Sequence, residues 1–173
     1  MFGNLLSCKL YNPSVAVTKS TANLIAMTAM DTTNLRNVFI VPAHGMVGVV
    51  LRGVLTGAIT YPSILLGVMN GATVVGCVAP IQTLGNTAVA TALVNVEAVF
   101  IITGLTPGSV TWDAAYAVKT IVAASGIRYG GPNDAIANSA FGGFTFSVYD
   151  PQPQATTAQI AVNSVGQVSI VDR

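Results

Sequence analysis

One histidine, one glutamate and two cysteines stand in this chain of 173 residues, so three of the side chains on which catalytic and metal-binding sites most often rely are nearly absent. His44 stands alone, and Cys8 lies far from Cys77, so no short-spaced zinc or other transition-metal motif can be written from them. Charge is scarce as well: seven basic and six acidic side chains make up 8% of the residues, against about a quarter in an ordinary soluble domain. The basic residues are scattered and the net charge is +1, which leaves no electrostatic footprint for nucleic acid or an anionic membrane. Helix formers are thin too, with three Lys, one Glu and 12 Leu set among 17 Gly and eight Pro. Two cysteines allow at most one disulfide, and their scarcity points to a bridge-independent fold made in a reducing cytoplasm. Whether Cys8 meets Cys77 is left open by the sequence.

What is present is apolar and β-branched. Hydrophobic residues make up 52% of the chain, and Val, Ile and Thr together number 54. This supplies ample core material and excludes disorder by composition. The most apolar window, Ile64 to Ile81, is broken by Asn70, Thr73, three glycines and Pro80, so no membrane-spanning helix is expected. Twelve aromatics are too few for the girdles of a transmembrane barrel. Leu5-Leu6-Ser7-Cys8 imitates a lipobox, but no basic region or long apolar stretch precedes it. A monomer of 17.7 kDa exposes roughly 8,000 Å². With so few charges to solvate that area, much of the surface is expected to be covered by other chains.

The expected class is all-β: an antiparallel β-sandwich, jelly-roll-like, with extended arms at both ends. Candidate strands bounded by Gly, Pro or Asn are Val38 to Val41, Met46 to Leu55, Ser63 to Val68, Thr73 to Ile81, Val89 to Leu93, Val96 to Thr103, Val110 to Val122, Ile127 to Tyr129 and Phe144 to Tyr149. Alternation places Val110, Trp112, Ala114, Tyr116 and Val118 on the core face, and Phe144, Phe146 and Val148 likewise. Met46 to Leu55 and Val96 to Ile102 are apolar on both faces, the mark of strands covered on both sides. Residues 1–36 are read as an N-terminal arm, with Asn23 to Met30 either extended or a short helix, and extended favoured. Residues 37–149 form the sandwich domain. Residues 150–173 combine the Pro/Gln linker Asp150-Pro-Gln-Pro-Gln154 with a β-prone tail, which can pair with a neighbouring chain or serve as a last strand of its own.

Candidate chemistry is sparse, and no catalytic, cofactor-binding or metal-binding residue is assigned. His44 sits in a Pro/Gly-bounded turn with no Ser, Cys or carboxylate beside it, so a hydrolase site would need a distant partner. The acids Asp31, Glu97, Asp113, Asp134, Asp150 and Asp172 show no paired spacing. Asp113 with Asp134 is the best candidate for a two-carboxylate site, against a solvated strand residue and a turn Asp. Glu97, in an apolar strand, is expected to pair across strands with Arg52 or Lys119. Gly126 to Asp134 has no Walker lysine and reads as a tight turn, and Gly142-Gly143 as a bend before a strand. Trp112, Tyr116, Tyr129, Tyr149 and Tyr61 could stack on sugars if exposed, but core packing is the expected role.

Asn37-Val-Phe-Ile-Val-Pro-Ala-His-Gly-Met-Val-Gly-Val-Val-Leu51, followed by Thr103-Gly-Leu-Thr-Pro-Gly-Ser-Val-Thr-Trp112, resembles the β-sandwich virion proteins of tailed bacteriophages, where a G-L-T-P-G turn leads into a strand. The similarity spans about Asn37 to Tyr149 and carries over no catalytic residue. It implies a capsid decoration or cement protein located on the virion. Such a protein is expected to form a homo-oligomer, with a trimer favoured, and to bind major capsid or other virion proteins through its arms, with no nucleic acid, membrane or cofactor involved. The alternative is a tail, fibre or adhesin module that binds carbohydrate or a receptor.

Overall fold

A computed structural model describes residues 3–14, 17–20, 26–57, 64–77, 92–118, 126–130, 143–152, 159–162 and 168–171. Among these residues the chain is all β, with two antiparallel sheets, consistent with a sandwich, and a separate hairpin. The strands are β1 (Leu5–Tyr11), β2 (Val17–Ser20), β3 (Thr28–Ala29), β4 (Arg36–Val41), β5 (Val47–Gly57), β6 (Ile64–Asn70), β7 (Thr73–Cys77), β8 (Ala92–Ile102), β9 (Gly108–Val118), β10 (Gly126–Tyr129), β11 (Phe144–Tyr149), β12 (Gln159–Val162) and β13 (Val168–Val171).

The first sheet is organised by β5. One edge of β5 carries β8 along all eleven residues, and the other is shared end to end by β11, opposite Gly48 to Arg52, and β10, opposite Val54 to Thr56. Outside these lie β1, on β11, and β2, on β10. The second sheet is organised by β9, with β4 and β3 sharing one edge and β6, then β7, on the other. Apart from the β6–β7 hairpin, the chain crosses between sheets at each step from β4 to β10, so the two layers are wound together.

Alternation fills the space between the layers. From β9 come Trp112, Ala114 and Val118, from β5 Val47, Val49, Leu51 and Leu55, and from β11 Phe144, Phe146 and Val148, all buried. Phe39 meets Trp112 edge to face at 4.9 Å, a favoured aromatic geometry. Gly53 occupies the core side of β5 where the β11 pairing ends and the β10 pairing begins. A Cβ there would lie 2.6 Å from the ring of buried Phe144, so the ring occupies the space a side chain would take.

Asn37, in an otherwise apolar run, closes one side of the sandwich. It is fully buried, its Oδ1 accepts from the Ser7 hydroxyl of β1 at 2.7 Å, and its Nδ2 donates to the Phe146 carbonyl of β11 at 2.9 Å. Both ends of the amide are satisfied, as burial requires.

Two expectations differ from this fold. Residues 1–36, read as an arm, supply β1 to the first sheet, β2 against β10 and β3 against β9, because β1 and β3 find the unpaired edges of β11 and β9. The two runs separated at Asn95 are one strand, since Asn95 keeps its place in the ladder opposite Val54. Its polar side chain costs little there, because it is exposed. In the tail, β12 pairs with β13, placing Ile160 opposite Ile170 and Val162 opposite Val168. The outer parts of several expected strands, residues 78–81, 89–91 and 119–122, lie outside the described residues.

Candidate functional surface

The β4–β5 turn holds the only histidine. Gly45 N–H donates to the Pro42 carbonyl at 2.9 Å and Gly45 adopts φ 69°, with Leu105 O so close that a Cβ would lie 2.6 Å from it. Only glycine suits that position. Met46 N–H donates to His44 Nδ1 at 3.1 Å, which leaves Nε2 to carry the proton in the neutral ring and donate to Asp150 Oδ1 at 2.9 Å. Asp150 Oδ1 also accepts from Gln152 N–H, and Asp150 N–H donates to the Asn4 carbonyl. The pair therefore clamps the β4–β5 turn to the exit of β11 and the start of β1. The fold thus supplies the carboxylate partner that the local sequence lacks. Both ring nitrogens are engaged, and neither is hydrogen-bonded to a hydroxyl or thiol among the described residues.

The acids are placed individually. Asp113, expected on a solvated face, is only 2% exposed and is held by Arg36 in a fork, Nε to Oδ1 at 2.7 Å and Nη2 to Oδ2 at 2.9 Å. That hydrogen bonding, and then the Asp113 charge, raise the Arg36 pKa above its ordinary value. Asp31 Oδ1 accepts from Thr33 N–H and Asn34 N–H, which makes it a turn former. Glu97 pairs with Arg52 directly opposite it. Asp134, Asp172 and Lys119 lie outside the described residues, so the Asp113–Asp134 pairing does as well. Among the described residues no group of three or more His, Cys, Asp or Glu could hold a metal ion. Cys8 and Cys77 are both free and exposed.

The aromatics considered for sugar stacking mostly serve the core. Trp112 and Tyr129 are buried, Tyr116 and Tyr149 are partly buried, and Tyr61 lies outside the described residues. Tyr129 packs on Tyr11 and Phe144, at centroid distances of 5.8 and 6.0 Å, and its buried hydroxyl has no hydrogen-bond partner among the described residues. Burial, then the charges of Asp31, Tyr11 and Tyr116, push its pKa far up. Of the glycine-rich segment, Gly126 to Tyr129 is strand β10 rather than a turn, and residues 131–134 lie outside the described residues, as does Gly142.

The most extensive unexplained feature is the outer face of the first sheet. Pairing aligns three rows across β1, β11, β5 and β8: Leu5–Tyr149–Gly48–Ile101, Cys8–Ser147–Val50–Val99 and Leu10–Thr145–Arg52–Glu97. The edge strands carry exposed apolar residues, with Leu5 at 57%, Leu10 at 66%, Val99 at 46% and Ile101 at 61%. Between these ridges the floor is Gly48, Val50 and Ser147, all buried. Cys8 Sγ lies 3.2 Å from Ser147 Oγ. The only charges in the three rows are Arg52 and Glu97, beside a hollow of about 410 Å³ lined also by Gly53, Val54, Asn95 and Gly143. On the second sheet, Val38 and Ile40 of β4 are likewise exposed, at 59% and 70%. The sequence pattern identified the two-faced apolar strands, but in the single chain their outer faces lie partly open.

No protein-family model matches the chain, and no curated protein matches it.

Proposed function

We propose that this protein is a virion structural protein of the capsid-decoration type, a homo-oligomer that stabilises a shell by binding neighbouring capsid subunits. The observation that carries the reading is the exposure of large apolar side chains on strands of both sheets in a chain with so few charges. Surfaces of this kind are the raw material of interfaces.

Strand order adds support. The first sheet runs β1-β11-β5-β8 and the second β4-β9-β6-β7, with the chain passing between layers as described. This order supports reading the sandwich as a jelly roll, an architecture used by viral capsid and lectin domains. For a lectin role, the sandwich would have to present aromatic faces to solvent, whereas Trp112 and Tyr129 point into the core. The turn Thr103 to Gly108, with Gly104 and Gly108 at positive φ, is where the resemblance to phage virion proteins falls. On a shell, many weak contacts act together, so modest interfaces suffice.

The test is fractionation of assembled particles from the producing cells on a density gradient. The chain is expected in the particle band, and particles stripped of it are expected to open at lower temperature. Recovery of the chain solely at the top of the gradient would overturn the proposal.

A further inference from the structure

We infer that the outer face of the first sheet is a self-association surface, and that its occupant is the same face of a second copy of this chain. The inference deepens the proposed assembly role and rests on its claim of self-association, though not on the virion location.

Three observations carry it. First, the exposed apolar residues are ordered: Leu5 and Leu10 on one edge strand and Val99 and Ile101 on the other flank a floor of Gly48, Val50 and Ser147. Second, the charge pattern complements itself. Arg52 and Glu97 are directly opposite each other and exposed, and the rest of the three rows is uncharged. A two-fold rotation can therefore bring Arg52 of one copy toward Glu97 of the next without setting like charges together. A strongly charged partner would find nothing to match here.

Third, the area sets the strength. Four strands at ~4.8 Å spacing and three rows at ~7 Å give, with their side chains, a patch of roughly 400 Å². That is about half of the ~800 Å² per partner in a standard stable interface. The contact is therefore weak, and its occupancy depends on concentration. The hollow beside Arg52 and Glu97 extends the same face toward Val54 and Asn95.

The experiment is light scattering on the purified full chain from micromolar to millimolar concentration. It compares the wild type with Val99→Lys and Ile101→Lys, and with Ile40→Lys on the other sheet as control. All three positions are exposed, so the lysines are compatible with folding, which far-UV circular dichroism verifies. The wild type and Ile40→Lys are expected to rise from 17.7 kDa toward twice that mass. The Val99 and Ile101 variants are expected to need about tenfold higher concentration or more. A wild type that stays monomeric throughout overturns both the inference and the self-association claim. A wild type that associates equally well with lysine at Val99 and Ile101 overturns the face alone, leaving oligomerisation through another surface.

Discussion

Replacing Tyr129 by Phe removes one oxygen from the interior and leaves every ring contact in place. The hydroxyl is buried with no hydrogen-bond partner among the described residues, and leaving such a group unpaired costs about 1–3 kcal/mol. Contacts with Tyr11 and Phe144 involve the ring, so Tyr129→Phe should stabilise the protein by about 1 kcal/mol, or roughly 2–4 °C in Tm for a chain of this size. The same residue sets an alkaline limit. Burial raises the folded-state pKa of the phenol, whereas the unfolded chain ionises near pH 10, so above that pH the folded state binds more protons than the unfolded one. Stability is then intact below about pH 10 and falls by about 1.4 kcal/mol per pH unit above it until the folded-state phenol also ionises. Urea melts of wild type and Tyr129→Phe at pH 8 and pH 11 read both effects. The variant should be the more stable at pH 8, and its advantage should widen at pH 11. A variant destabilised by more than ~1 kcal/mol at pH 8 would show that the hydroxyl makes a hydrogen bond, and the reasoning would fail.

Other substitutions probe the framework. Gly53→Ala should cost about 1–3 kcal/mol in urea melts, because its Cβ would strike the buried Phe144 ring. His44→Ala should cost about 1 kcal/mol, and a double-mutant cycle with Asp150→Ala should show coupling through the clamp. Arg36→Ala should lower Tm more than Arg36→Lys, because Lys keeps a charge against buried Asp113 while losing the fork. Native thiol titration should find both cysteines free, and detection of a Cys8–Cys77 bridge would contradict the structure.

The class of the fold was legible because its signal is local. Alternation in Val110 to Val118 and in Phe144 to Val148 assigned faces that the packing bears out, and Gly, Pro and Asn marked most strand ends. That Glu97 pairs across strands was also legible, since a lone acid in an apolar strand needs a counter-charge, but only the register chose Arg52 from the two candidates Arg52 and Lys119. The long-range partnerships were not. Arg36 and Asp113 are separated by 76 residues, and His44 and Asp150 by 105, with nothing local to join them. For Asp113 a usable signal did exist: like Glu97, it is an acid in an apolar strand, and the same reasoning would have demanded a cation for it. Asn37 was passed over because an Asn before a Val/Ile run reads as a strand boundary. Its burial depends on β1, which composition assigned to an arm. Two-sided apolarity located the strands of the candidate surface, but only the pairing register shows that Leu5, Cys8, Val99 and Ile101 share one face.

That face carries its own reporter. Cys8 stands in its middle row, while Cys77 is exposed on β7 of the other sheet, so the two free thiols report on different surfaces of one molecule. The decisive measurement is the labelling rate of each thiol by a small maleimide as protein concentration is raised, resolved by peptide mass spectrometry. If assembly covers the first sheet, Cys8 labelling slows with concentration while Cys77 labelling does not. Equal and concentration-independent labelling of both thiols would contradict the account.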